Sequence, residues 1–155
     1  MPSSTPYAVR VHDVGRVRES VRFPVVPAVL DALATAATAG APDEACGLLF
    51  GAPHGPIDRF VALPNVDPQP RTGFRIDGIA FAAAEARERG AGRTLRGVFH
   101  SHPRGPDHPS ARDLEGRWPE TWMVIASPAG RGGWRFTAVP PDTARGRPAD
   151  QNRSV

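Results

Sequence analysis

The most constraining feature of this chain is a pair of histidines at the end of an apolar segment, followed after a short loop by a serine and an aspartate. The segment "TLRGVFHSH" is predicted to form a β-strand, and "SARDLEGRW" has the pattern of a short helix after the loop "PRGPDHP". Because His100 and His102 are two residues apart, both imidazoles lie on one face of the strand, with Cα atoms about 6.5–7 Å apart. We therefore expect a strand end to face a helix start across this loop.

These side chains have the spacing of a zinc site. Two imidazoles on one strand face can converge on a zinc ion at about 2.0–2.1 Å from each nitrogen, and Asp113 can supply a carboxylate oxygen as third ligand. A fourth position would stay open for water, as in catalytic sites. Two simpler interpretations stay open: Ser110 and Asp113 also match a helix capping box, and a His-x-His pattern is common on exposed strands. His108 is interpreted as a loop residue and not as a ligand.

The remaining patterns predict strands and helices mixed in one domain, with helices packed on a sheet, so the fold class is α/β or mixed α+β. Strands are expected over 7–11, 44–51, 59–65, 94–102, 121–127 and 134–140, and helices over 25–40, 78–89 and 110–118. The second and third strands form a hairpin, and Asp77 caps the second helix. Residues 1–20 are expected to form an N-terminal extension and residues 140–155 a disordered tail, since the tail has almost no apolar side chains.

Composition disfavours several classes of protein. The 19 basic residues are all arginine and are scattered along the chain, the net charge is +3 and aromatic residues make up 7%, so a nucleic-acid groove is poorly supported. No run of 18 apolar residues predicts a membrane span. Cys46 is the only cysteine and is interpreted as a small core residue. A chain without disulfides and without the apolar core of a secretion signal is expected in the cytoplasm.

The motif resembles that of a known family. "HSHPRGPDHPSARD" fits His-x-His, seven residues, Ser, two residues, Asp, which is the signature of the JAMM (MPN+) metallopeptidases. "PDEACGLLFG", "GFRID" and "MVIAS" also resemble segments of bacterial and archaeal members, so the likeness covers about residues 20–139. It implies a single MPN/JAB domain over 21–139, with a curved mixed sheet flanked by helices and related to the cytidine deaminases. The Pro-Cys-x-x-Cys zinc element of the deaminases is absent from this chain.

The resemblance implies a role for each site residue. It identifies His100, His102 and Asp113 as ligands of one Zn²⁺ per chain, Glu44 as the catalytic glutamate and Ser110 as the transition-state serine. Without it, Glu44 would be read as a surface carboxylate at the entry to a strand. The implied activity is hydrolysis of an amide bond by zinc-activated water, with Glu44 transferring the proton and Ser110 donating a hydrogen bond to the oxyanion.

The resemblance also implies the substrate class. Family members cut after the C-terminal Gly-Gly of ubiquitin or ubiquitin-like proteins, and this compact domain resembles the prokaryotic branch, whose substrates are small ubiquitin-like or sulfur-carrier proteins. Trimming a precursor, releasing an adduct and removing a conjugated modifier all stay open. The alternative is a non-catalytic MPN module that binds a ubiquitin-like partner, which would be marked by loss of a ligand or of Glu44; neither is lost here. Family members often pair, so a homodimer is allowed.

Overall fold

The computed structural model describes residues 7–12 and 21–142, and all the predicted strands and helices are present there. The strands are β1 Val9–Val11, β2 Cys46–Gly51, β3 Ile57–Leu63, β4 Thr94–Ser101, β5 Trp122–Pro128 and β6 Trp134–Val139; the helices are α1 Pro27–Gly40, α2 Gly78–Gly90 and α3 Ala111–Glu115. Most of the predicted disordered tail, from residue 143 onward, lies outside the described residues.

The six strands form one mixed sheet in the order β1-β6-β5-β4-β2-β3. β2 and β3 form the predicted antiparallel hairpin, and β4 runs parallel to β5 and antiparallel to β2. β1 pairs in parallel with β6, with Val9 opposite Phe136, so part of the N-terminal extension is an edge strand of the same sheet. The predicted mixed α/β class is confirmed.

The sheet is covered by α1 on one face and by α2 on the other. Side chains alternate along β2, so Leu49 packs in the cluster on the α1 side while Leu48 packs in the cluster on the α2 side. On β4, Phe99 and Val98 divide between the two clusters in the same way. His100 lies two residues after Val98, so its imidazole faces the α2 side of the sheet.

Helix α3 lies on this same side. Trp118 follows α3 and packs edge-on against Phe81 of α2, with ring centroids 5.0 Å apart. The other two tryptophans also have packing roles: Trp122 is buried in the cluster on the α1 side, and Trp134 Nε1 donates a hydrogen bond to Thr38 Oγ1 at 2.9 Å. The fold thereby brings the C-terminal end of β4 next to the start of α3.

The helix boundaries follow from local chemistry. α1 begins at Pro27 and not at residue 25, because proline suits the first helical position and Val25 instead pairs with Ile57 in an isolated bridge. Asp77 caps α2 as predicted, its side chain accepting the Ala80 N–H at 3.0 Å. Among the described residues, none of the helices has the length and apolar character needed to cross a membrane.

Candidate metal centre

Two buried imidazoles lie at the C-terminal end of β4. His100 is 1% exposed and His102 is 5% exposed, and their Nε2 atoms lie 3.0 Å apart. The ring of Phe74 stacks on His100, with centroids 4.5 Å apart and an angle of 18° between the planes. The side chains therefore lie on one face, as the alternation of a strand requires, and packing holds the His100 ring in place.

Asp113 approaches the imidazoles from the first turn of α3. Its Oδ2 lies 3.2 Å from His100 Nε2 and 3.1 Å from His102 Nε2. The same oxygen accepts the Ser110 backbone N–H at 2.8 Å, and the Asp113 N–H donates to Ser110 Oγ at 3.0 Å, so the capping box is present. The capping interaction and the approach to the histidines occur together, and the cap fixes where the carboxylate lies.

The donor set fits a tetrahedral cation. Donors at about 2.0–2.1 Å from a tetrahedral zinc lie about 3.3 Å from one another, and the three donor atoms here are 3.0–3.2 Å apart. The Pro106 carbonyl lies 2.9 Å from His102 Nδ1. Because a carbonyl only accepts, His102 Nδ1 donates its proton to Pro106, so the Nε2 of a neutral His102 ring would have its lone pair available for a cation.

Glu44 lies beside this cluster, just before β2. Cys46 pairs with His100, and the Ser101 N–H donates to the Ala45 carbonyl at 2.9 Å, so continuation of the register brings Glu44 opposite His102. A carboxylate oxygen of Glu44 lies within 4.8 Å of a nitrogen of each histidine. Its Oε2 is buried and, among the described residues, has no hydrogen-bond partner. By distance, Glu44 could either act next to a bound metal or bind it directly.

Burial and proximity change the proton affinities of these groups. Burial raises the pKa of Glu44 to about 7, although His102 opposes the shift. Burial alone would raise the pKa of Asp113, but its hydrogen bonds to the two histidines hold that pKa far below its ordinary value. Burial lowers the pKa of His100, whereas the pKa of His102 is raised because the Asp113 and Pro106 contacts outweigh the effect of burial. The site therefore combines an ionised carboxylate with a proton acceptor that titrates near neutrality.

The Ser110 hydroxyl lies at the rim of the cluster. Ser110 is exposed, and its Oγ accepts the Asp113 N–H. A hydroxyl that accepts one hydrogen bond keeps its own proton for donation. Ser110 can therefore cap α3 and donate a hydrogen bond to a ligand at the same time.

His108 and Cys46, which were also considered from the sequence, do not belong to the candidate metal centre. His108 is exposed, and its Nδ1 lies 3.5 Å from Asp107 Oδ1. Cys46 is 2% exposed, donates to the Leu63 carbonyl, and has its pKa raised to about 12, chiefly by burial. The predictions of a loop histidine and a core cysteine are confirmed.

Sequence reasoning missed the residues of the loop between β3 and α2. Phe74 belongs to this loop, and so do Asn65, whose side chain bonds the Glu44 carbonyl, and Asp67, which pairs with Arg112 of α3. The only sequence signal was "GFRID", which the family resemblance included without assigning it a role.

The chain belongs to the family of prokaryotic homologues of the JAB domain, whose model matches residues 26–139. The predicted resemblance is confirmed at the level of the family. The match begins near α1 and ends with β6, so it includes every residue of the cluster and leaves out β1.

Two relatives with assigned names match over part of their length. The chain is 39% identical over 89 residues to a probable TtuB-protein conjugate cleaving protease of Thermus thermophilus, covering 56% of this chain and 58% of that protein. It is 33% identical over 92 residues to a desampylase of Haloferax volcanii, covering 58% and 66%. The chain thus spans less than two thirds of the length of these relatives.

Solved structures support the same fold. A solution structure from Desulfitobacterium hafniense matches with a TM-score of 0.62 and 27% identity, covering 84% of this chain and 82% of that one. A second, from Salinibacter ruber, has a TM-score of 0.52 and 27% identity, covering 79% and 94%.

Proposed function

We propose that this protein is a zinc metallopeptidase that hydrolyses the peptide or isopeptide bond after the C-terminal Gly-Gly of a ubiquitin-like or sulfur-carrier protein. The observation that carries the proposal is the convergence of His100, His102 and Asp113 within 3.2 Å of one another, with the buried carboxylate of Glu44 alongside. A purely structural cap on α3 would not require two buried imidazoles at the same carboxylate oxygen.

His100, His102 and Asp113 would hold the zinc ion. When bound there, Zn²⁺ would lower the pKa of a water ligand to about 7 and polarise the scissile carbonyl. Both imidazoles are fixed, one by the stacked ring of Phe74 and the other by the Pro106 carbonyl. Such outer contacts orient metal ligands and typically contribute about 10- to 100-fold to affinity or activity.

Glu44 would act as the general base and then the general acid. Its pKa of about 7 lies close to neutral pH, where a carboxyl group can both take up and release a proton. Its Oε2 makes no hydrogen bond within the described part of the chain, so this oxygen is free to accept a proton from water and pass it to the leaving amine.

Ser110 would stabilise the transition state. The structure leaves its hydroxyl proton available while Asp113 fixes its backbone. One well-placed donor to a developing oxyanion is typically worth about 2.7–4 kcal/mol. No base contacts Ser110 Oγ among the described residues, which supports a hydrogen-bond donor in preference to a nucleophile.

The names of the relatives support the proposed substrate class. One is named a probable protease that cleaves TtuB–protein conjugates, and two others are named desampylases. The first name describes cleavage of a conjugate between TtuB and another protein. We extend that substrate class to this chain because the family match includes the whole cluster.

The test is cleavage of a panel of prokaryotic ubiquitin-like proteins carrying C-terminal extensions or lysine conjugates. The zinc-loaded protein should release a product ending in Gly-Gly, identified by mass spectrometry, and a chelator should abolish the cleavage. The Glu44→Gln variant is the matched control. If no member is cut at full zinc occupancy while a partner still binds, the protein is a non-catalytic binding module and the proposal fails.

A further inference from the structure

The loop between β3 and α2 is organised by the side chain of Asn65. Its Nδ2 donates to the carbonyls of Glu44 and Gly73, each at 2.9 Å, and its Oδ1 accepts the N–H groups of Asp67 and Arg75, each at 3.0 Å. Both amide protons and both lone pairs of this half-buried side chain are thus used. The orientation of the amide is unambiguous because every carbonyl partner needs a donor and every N–H partner needs an acceptor.

These contacts hold the Glu44 backbone from both sides. Asn65 binds the Glu44 carbonyl, and the Glu44 N–H donates to the carbonyl of Pro70, in the same loop, at 2.7 Å. Glu44 lies outside β2, so sheet pairing alone does not fix this peptide. The carboxylate at the metal centre therefore projects from a backbone that the Asn65 loop locates.

The same loop also contacts the other half of the site. Asp67, 8% exposed, forms an ion pair with Arg112 of α3, next to Asp113. A Cβ at Gly73 would collide with the Arg112 guanidinium, so the loop and the helix are in close contact. Phe74 completes the link through its stacking on His100. One loop thus contacts both the glutamate and the elements that bear the predicted metal ligands.

We propose that Asn65 is a positioning residue that holds Glu44 at its working distance from the His100–His102–Asp113 cluster. It would act through the Glu44 backbone, because its side-chain hydrogen bonds within the described residues are all to backbone groups of Glu44 and of its own loop. This inference rests on the proposed function for its catalytic consequence, but the geometric part concerns only contacts within the chain. It assigns a role to an asparagine outside the His-x-His and Ser-x-x-Asp motif.

Two substitutions separate the functions of the amide. Asn65→Asp keeps an acceptor for the Asp67 and Arg75 N–H groups but removes the donor to Glu44, whereas Asn65→Ala removes both and adds no charge. Both variants should lower kcat by about 10- to 100-fold, since a displacement of about 1 Å can cost 100-fold. KM should be nearly unchanged, and zinc affinity should fall by less than the about 10-fold that follows loss of a ligand's outer contact.

Hydrogen exchange of the Glu44 amide gives a readout that does not require activity. In both variants this amide should exchange at least about 10-fold faster, because its bond to Pro70 loses the support of Asn65, while the Leu49 amide within β2 should be unaffected. The control is Asp77→Ala, which removes the cap of α2 and lowers stability by about 1 kcal/mol without contacting Glu44. It should leave kcat and Glu44 exchange as in the parent.

The outcomes distinguish the two proposals. If the parent protein cuts no substrate but Glu44 exchange still accelerates in both variants, the proposed function fails and the positional role of Asn65 stands. If the parent is active and both variants retain its kcat and its Glu44 exchange rate, Asn65 does not position Glu44. An equal loss of kcat in Asp77→Ala would assign the effect to general stability and overturn the inference.

Discussion

At the scale of single residues, burial raises the pKa of the Glu44 carboxyl, and the neighbouring charged groups only partly offset this shift. Its side chain is enclosed beside two histidines and an aspartate, and burial is the main cause of its raised pKa. An ordinary surface glutamate would be fully ionised at pH 7 and a poor proton donor to a leaving amine. The same burial has a thermodynamic consequence, because the fold favours the protonated carboxyl.

Burial of Glu44 should make the free energy of unfolding of the metal-free protein depend on pH. The pKa of Glu44 is about 7 in the folded protein and 4.5 ordinarily. The contribution of this carboxyl to the free energy of unfolding is therefore fully present below pH 4.5, where the group is protonated in both states, and is lost as pH rises through 7. Glu44→Gln should therefore stabilise the metal-free protein at pH 8 by on the order of 1–3 kcal/mol and change it little at pH 4. Urea unfolding at both pH values measures this; a variant no more stable than the parent at pH 8 would contradict the burial argument.

At the scale of elements, the strand β4 and the short helix α3 together build the cluster. β4 orients both histidines through its two-residue repeat, and the capping box of α3 orients Asp113. α3 has five residues, so the cap is a large part of what defines it. Ser110 thus has two separable roles, one in the helix and one proposed at the transition state.

Substitutions at Ser110 can separate these roles. Ser110→Ala should lose about 1 kcal/mol of stability with the cap, whereas Ser110→Gly should lose only a few tenths of a kcal/mol, because glycine is tolerated at the N-cap. Both should lower kcat by about 10²–10³ through loss of the oxyanion donor. Denaturation and cleavage assays compare the two. Near-parental kcat in Ser110→Gly, with loss only in Ser110→Ala, would mean that serine acts through the cap alone.

Short-range patterns in the sequence were sufficient to predict these elements. The strand β4 was predicted with its two histidines on one face, Asp77 marked the start of α2, and the Ser-x-x-Asp spacing matched the capping box. The N-terminal bound of α1 was placed two residues too early, because the apolar Val25 fits a helix as well as the bridge it forms. Strands, helix ends and helix caps depend on residues close together in the chain, so they can be predicted from a single sequence.

The contacts of Asn65 could not be predicted in this way. Its partners are Glu44, 21 residues away, and the backbone of its own irregular loop. Such bonds depend on the path of the loop between β3 and α2, and an irregular loop has no periodic pattern in the sequence from which this path could be predicted. The stacking of Phe74 on His100 is equally non-local. The role of Glu44 itself was suggested only by family resemblance.

At the scale of the whole molecule, a bound cation would connect the C-terminal end of β4 to the first turn of α3, which follow each other in the chain. β4 and α3 both contribute donors, and the cation would add a link between the sheet and the helix to the Asp67–Arg112 ion pair. A ligand that binds only the folded state stabilises it by RT ln(1 + [L]/Kd), about 2.7 kcal/mol at 100 times Kd. Zinc should therefore stabilise the global fold and not only the site.

Thermal or urea unfolding with and without zinc measures this effect. The parent should gain about 2.7 kcal/mol at a free zinc concentration of 100 Kd, and His102→Ala should gain almost nothing. His108→Ala is the matched control, because this histidine is exposed in the adjoining loop, and it should respond as the parent does. A full zinc response in His102→Ala would remove His102 from the ligand set.

The zinc content and cleavage activity of Glu44→Gln test the central claim most directly. His100, His102 and Asp113 would hold the cation, and Glu44 would carry the proton beside it without binding the metal. The purified parent and the purified variant should both hold one zinc per chain by elemental analysis. The variant should cleave a substrate found in the panel of ubiquitin-like proteins at least about 100-fold more slowly than the parent, in line with loss of a general base. A zinc-free variant would show that Glu44 is a ligand, and parental cleavage would show that it is not the base; either result would contradict the account.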